Sequence, residues 1–260
     1  MAVDSQDGRT LYADEQGLGL FKSSDAGVHW SRLQTVSRSS RAQAVAIDPR
    51  HPHTVYFAHC AGACTGGVLQ RTDDGGATWW TDHGIPSAVQ SLAIDPQHSS
   101  TVFAGTMRGE IFRSSGVARS WQRVATAPAL PSSHLYAVVA IVIDPRDPDN
   151  VYAGRRNGGI IKSSDGGKIW RRANTGLTER GIVALAIDPR DSRVLYASTV
   201  RLWTGTNPRV FRSTDGARTW HPLSAGLPAV GVNAFAVDPS GRGVFAATGG
   251  DGVVQLRDGG

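Results

Sequence analysis

The chain has 260 residues, of which 40% are hydrophobic and 19% charged, and this balance excludes intrinsic disorder. The longest apolar run, Ala137 to Ile143, is far short of the ~20 residues that a membrane-spanning helix needs. The net charge of +5 is carried mostly by arginine and is spread along the whole chain without an aromatic-rich RNA motif, so no nucleic-acid partner is expected.

In chain order, Met1 to Asp4 reads as the end of a strand and lacks the basic and apolar regions of a secretory leader. The chain is therefore expected to be either cytoplasmic or a mature segment freed of its leader. Leu11-Tyr12-Ala13 is a second strand, followed by an acidic loop with Asp14 and Glu15 and then by the segment Ser23 to Trp30, SSDAGVHW.

The same order then recurs. Apolar runs ending in Asp-Pro close at Pro49, Pro96, Pro145, Pro189 and Pro239. Such continuous runs read as strands buried on both faces, and the proline ends each one. Short second strands follow at Val55–Phe57, Val102–Ala104, Val151–Ala153, Leu195–Ala197 and Val244–Ala246.

Each unit closes on a Ser-x-Asp-x-Gly-x-x-Trp phrase. Intact copies are TDDGGATW from Thr72, SSDGGKIW from Ser163 and STDGARTW from Ser213; a worn copy from Ser114 has Gly116 in place of the aspartate. A further copy begins at Leu256 with Asp258. The key positions 25, 74, 116, 165, 215 and 258 are 49, 42, 49, 50 and 43 residues apart.

That spacing is the length of a four-stranded propeller blade. An all-β propeller of six blades follows, at about 1–37, 38–86, 87–130, 131–178, 179–228 and 229–260, the last without its outer strand. The six are expected to form one closed domain, the alternative being a piece of a larger propeller. Helical repeats would need period-3.6 apolar stripes, which are absent.

Within the phrase, the carboxylates of Asp25, Asp74, Asp165, Asp215 and Asp258 are expected to accept turn N–H groups, with the Ser or Thr hydroxyl assisting. The glycines mark positive φ, and the tryptophan packs against neighbouring strands. These acids are hairpin staples and not catalysts.

These motifs resemble the Asp-box or BNR repeats of bacterial sialidases, xyloglucanases, sortilin-type receptors and photosystem II assembly factors, over essentially the whole chain. The resemblance implies the propeller fold and leaves function open between hydrolase, lectin-like module and assembly factor. In such propellers the Asp-Pro turns and the hairpins share one end, and the remaining loops form the other, where a site is expected.

Two of those loops are long. His59 to Gly66 holds Cys60 and Cys64, whose spacing leaves a local disulfide, two free thiols and a weak metal pair all open. Ser198 to Arg209 carries Trp203, a platform for a sugar ring. Arg108, Arg155, Arg156, Arg201 and Arg209 lie on the same side and suit a carboxylate, phosphate or sulfate.

For an enzyme of sialidase type, the resemblance implies a tyrosine nucleophile and a Phe/Tyr-Arg-Ile-Pro motif. The motif is missing, and Tyr12, Tyr56, Tyr152 and Tyr196 hold equivalent second-strand core positions, leaving only Tyr136. For a xyloglucanase type it implies two flanking carboxylates. The first blade's loop offers Asp14 and Glu15, but the aligned catalytic position holds Gln16; Glu110 and Asp251 are the other loop acids. That family also builds its cleft from two propellers.

The reading that follows is a non-catalytic binding or assembly propeller for a glycan or protein surface, anionic in character. A glycoside hydrolase using Asp14, Glu15 and Glu110 is the alternative. No cofactor or metal is expected.

Overall fold

The hairpin phrase folds through its side chains. In the first copy Asp25 Oδ1 accepts the Ser23 hydroxyl at 2.8 Å and the His29 N–H at 2.9 Å, while Ser23 Oγ accepts the Gly27 N–H at 2.9 Å. The same three bonds recur at Thr72, Asp74 and Gly76, at Ser163, Asp165 and Gly167, and at Ser213, Asp215 and Ala217. The fourth and fifth positions of the phrase have positive φ, as at Gly75 (72°) and Gly76 (106°). Alanine occupies such a position at Ala26, Ala118 and Ala217, where Cβ crowds the backbone.

The computed structural model describes residues 1–36, 40–60, 64, 66–116, 118–125, 136–200, 209–223, 231–240 and 243–256. Its fold is an all-β propeller of six blades, falling in two compact units, Met1–Thr126 and Ala127–Gly260. No α-helix occurs among the described residues, and so no helix long and apolar enough to cross a membrane.

In unit 1, blade 1 is β1 (Ala2–Val3), β2 (Leu11–Glu15), β3 (Gly19–Ser23) and β4 (Ser31–Thr35). Blade 2 is β5 (Arg41–Ile47), β6 (Val55–Cys60), β7 (Gly67–Thr72) and β8 (Trp80–Asp82). Blade 3 is β9 (Val89–Ile94), β10 (Val102–Thr106), β11 (Ile111–Ser114) and β12 (Gln122–Ala125).

In unit 2, blade 4 is β13 (Val138–Ile143), β14 (Asn150–Arg155), β15 (Gly159–Ser164) and β16 (Arg171–Arg172). Blade 5 is β17 (Gly181–Ile187), β18 (Leu195–Val200), β19 (Arg209–Ser213) and β20 (His221–Leu223). Among the described residues blade 6 shows three strands, β21 (Val232–Val237), β22 (Val244–Thr248) and β23 (Val253–Leu256). Within each blade the strands pair antiparallel in chain order.

In each blade the second strand is more buried than the first. β10 is buried at every residue, whereas β5 is half-buried along most of its length. The reason is position: a second strand is hydrogen-bonded on both edges, while the apolar first strand is a sheet edge. Tyr12, Tyr56, Tyr152 and Tyr196 are 1–2% exposed, and burial pushes the first three phenols up to about 12.

The Asp-Pro turn does more than stop a strand. Asp48 Oδ1 accepts the Arg50 N–H (2.8 Å) and, from the next blade, the Ser99 hydroxyl (2.6 Å). Asp144 caps Arg146 (2.8 Å) in the same way and accepts the Ser192 hydroxyl of blade 5. One carboxylate thus closes a turn and joins two blades inside a unit.

Candidate functional site at the loop ends

The first strands carry a shared irregularity at their loop ends. Register slips between Ala42 and Ala44, Val138 and Ala140, Ile182 and Ala184, and Val232 and Ala234 leave Gln43, Val139, Val183 and Asn233 as bulge residues. In β9 the slip falls at Gln90. Bulges re-aim side chains, and period-two patterning gives no sign of them.

In unit 1 two of these bulges form a polar link. Gln90 Nε2 donates to Gln43 Oε1 at 2.5 Å, and Gln43 Nε2 donates to Cys60 Sγ at 3.2 Å. Cys60 and Cys64 are joined as a disulfide, with Cα atoms 5.0 Å apart, packed in a buried cluster with Ala88 and Met107. His59 is half-buried beside it, its pKa lowered by burial against the opposing effect of a hydrogen bond to Gln70.

The three candidate acids of unit 1 are spoken for or apart. Asp14 lies 3.6 Å from the amino group of Met1, and Glu15 is exposed at the end of β2. Glu110 is bound by Arg123 at 2.9 Å and is mostly buried, with Oε2 lacking a hydrogen-bond partner. Arg108 is exposed on the β10–β11 turn.

In unit 2 the loop end is basic and knit together by backbone. The N–H groups of Gly158 and Gly159 both donate to the Arg180 carbonyl, at 3.2 and 2.9 Å, fastening the β14–β15 turn of blade 4 to the entry of blade 5. Asn174 adds to this, accepting the Ile160 N–H (2.7 Å) and donating to the Gly158 carbonyl (3.1 Å). Gly159 has a φ of 75°, which favours glycine, and a Cβ there would displace the Asn174 amide, whose Oδ1 it would meet at 2.2 Å.

Around this junction Arg156, Arg180 and Arg209 are exposed. Arg209 Nε is 3.7 Å from Glu179 Oε1, and Glu179 Oε2 accepts the Thr178 hydroxyl at 2.6 Å. Arg155 is not on the surface as the sequence suggested. It is 9% exposed at the end of β14, and burial, then the like charge of Arg172, pull its pKa down. It flanks Gly158 together with the half-buried Tyr136.

Arg201, Trp203 and Asp258 lie outside the described residues. Sequence reasoning missed Gln43, Gln90, Asn174, Arg180 and Glu179. Only Arg180 carried a signal, an arginine directly before an apolar strand.

The hairpin carboxylates lie at the other end of the strands. Hydrogen bonds from the His29 N–H, the His29 ring and Ser23 hold Asp25 well below the usual carboxylate range. For Asp74 the lowering comes from the Thr78 hydroxyl and N–H and from Thr72. Among the described residues no three His, Cys, Asp or Glu side chains gather as a metal site would need.

No known family profile matches the chain, and no curated protein matches it. Solved structures do. An ancestral GH74 enzyme is 22% identical, with a TM-score of 0.76 over 96% of this chain and 34% of its own. YCF48 from Cyanidioschyzon merolae is 18% identical, with a TM-score of 0.65 over 95% of this chain and 79% of its own. YCF48 bound to D1 peptide is 16% identical, with a TM-score of 0.51 over 97% and 91%. The chain spans a third to half of the GH74 structures it matches, 34% and 51% of their lengths. At these identities the likeness carries the β-propeller fold and no activity.

Proposed function

We propose that this chain is a non-catalytic binding or assembly propeller, built on Asp-box repeats, that holds a carboxylate-bearing protein or glycan surface at the loop end of unit 2. The observation that carries the reading is the convergence of exposed Arg156, Arg180 and Arg209 on one backbone junction with Glu179 as the nearby acid. The other acids of blades 4 and 5 serve turns and hairpins, as Asp144, Asp165, Asp188 and Asp215 do. Guanidinium groups so placed favour planar anions. YCF48, of the same fold, is seen with a peptide bound, which supports a protein partner.

The test is titration of the full chain with a fluorescent poly-glutamate peptide and with uronate oligosaccharides at two salt concentrations. The Arg156→Ala, Arg180→Ala, Arg209→Ala triple variant should bind at least tenfold more weakly and lose most of the salt dependence. Equal binding by wild type and variant would remove the site.

A second reading, glycoside hydrolase, is favoured by the likeness to GH74 structures and by the unpartnered Oε2 of Glu110. Against it, Glu110 is held by Arg123. Fluorogenic glycosides assayed with Asp14→Asn, Glu15→Gln and Glu110→Gln decide it: activity lost in any of them restores the hydrolase.

A further inference from the structure

Blade 2 doubles its hairpin tryptophan, Trp79-Trp80, and blade 3 carries the hairpin that lacks its aspartate. Both features meet in one groove of unit 1. Alternation sends successive side chains to opposite faces, so Trp79 packs with Tyr12 and Leu33 of blade 1 while Trp80 faces away, 54% exposed. The residue after the hairpin tryptophan is Ser31, Gln122, Arg171 and His221 in other blades. Nothing in the blade therefore requires an aromatic there.

Trp80 stands directly across the β7–β8 ladder from Arg71. The groove around it holds about 440 Å³ and is lined by Arg71, Asp73, Trp80, Asp82, His83 and Arg119, with Ala118 also in its wall. Small-molecule clefts run from about 300 to 1,000 Å³. Its wall is built: Asp82 accepts the Trp121 indole N–H at 2.7 Å through one oxygen and the Gly84 N–H at 2.7 Å through the other. Trp30, Trp79 and Trp170 instead donate to carbonyls of their own hairpins.

The charges of this groove cancel. Two arginines face two aspartates, and Arg71 Nε is bonded to Asp73 at 2.9 Å. An anionic or cationic ligand gains nothing, whereas an uncharged one with a flat apolar face and many hydroxyls matches an exposed indole ringed by donors and acceptors. A pyranose ring has that form. A proline-rich segment would want a row of aromatics, but the groove presents a single indole.

We propose that this groove is a subsite for a neutral glycan, one pyranose ring stacked on Trp80 and its hydroxyls met by Asp73, His83 and Arg119. It is independent of the arginine junction of unit 2.

The full chain would be screened on an array of neutral gluco-, xylo-, manno- and galacto-oligosaccharides and the best binder titrated by calorimetry. Trp80→Ala should weaken binding at least tenfold, Trp80→Phe should retain most of it, and the triple arginine variant should bind as wild type does. Unchanged melting of the exposed Trp80 variants shows that they fold. The proposal is overturned if wild type binds no neutral oligosaccharide, if Trp80→Ala binds undiminished, or if the Trp80-dependent ligand is a proline-rich peptide alone.

Discussion

The groove behind blade 2 and the groove behind blade 4 are made from the same positions of the repeat, and they have opposite characters. In unit 1 those positions are Arg71, Asp73, Trp80, Thr81 and Arg119; in unit 2 they are Lys162, Ser164, Arg171, Arg172 and Arg218. The first is charge-balanced around an exposed indole, the second cationic and without an aromatic. The loop ends differ in the same direction: mixed charges and linked glutamines in unit 1, converging arginines in unit 2. A repeat holds its backbone constant through turn and hairpin bonds, and this leaves the outward positions of each copy free to take on separate chemistry.

The largest effect that tests this comparison sets a tryptophan of each unit side by side. Trp220 of unit 2 is 1% exposed and its indole donates to the Ala173 carbonyl at 2.9 Å, fastening blade 5 to blade 4. Trp220→Ala should cost about 3–5 kcal/mol in urea unfolding. Trp80→Ala in unit 1 should stay within about 0.5 kcal/mol. A large loss at Trp80 would mean that it is a packing residue, and the contrast between the grooves would fail.

Acid should separate the intact hairpins from the worn one. Burial alone would raise the Asp215 carboxyl, but the Thr219 hydroxyl and N–H and the Ser213 hydroxyl override it and bring the pKa down to about 2. Because the folded value lies below the usual 3.8, the stabilisation is complete above about pH 4 and is lost as pH falls towards 2. Asp215→Asn should lower the melting temperature at pH 7 and flatten its decline over that window. An unchanged acid limb would dismiss the hairpin carboxylate as a staple.

Gly116→Asp supplies the missing carboxylate of blade 3. A Cβ there meets nothing within 4 Å, and Ser114 Oγ already lies 3.4 Å from the residue 116 N–H. A gain of about 1 kcal/mol is expected in chemical unfolding, the worth of one or two hydrogen bonds net of desolvation. No gain would show that the worn copy is held by other means, such as the Trp121 to Asp82 bond.

The smallest effect is at Ala26, whose φ of 61° falls where the other intact copies have Gly75, Gly166 and Gly216. Ala26→Gly should stabilise by a few tenths to about 1 kcal/mol, the relief of Cβ crowding less the entropy glycine loses on folding. Thermal melting resolves it, and destabilisation would place the strain elsewhere.

The blades were legible because their signals are local. Each hairpin closes bonds between residues two to four apart, and each core tyrosine sits at a fixed place in a short strand. The candidate site was legible only in part. Arg156 and Arg209 were found as exposed loop cations, but Arg155, next to one of them in sequence, is buried, since its strand ends under the Gly158 turn. Cys60 and Cys64 could be read three ways from spacing and are joined once the β6 and β7 ends are in place.

By itself the amino-acid sequence determined the blade count, from the number and spacing of the repeats, and the phase of the strands and the role of the hairpin aspartates, which follow from contacts within one repeat. Only the tertiary structure decided that Asp48 reaches Ser99 of the next blade, that Gln43 meets Gln90, that Arg180 anchors the turn of blade 4, and that Trp80 faces a groove walled by Asp82 and Trp121. Each of these joins residues some 20 to 50 positions apart. The packing of one blade on the next brings such residues together, and no local pattern records that packing.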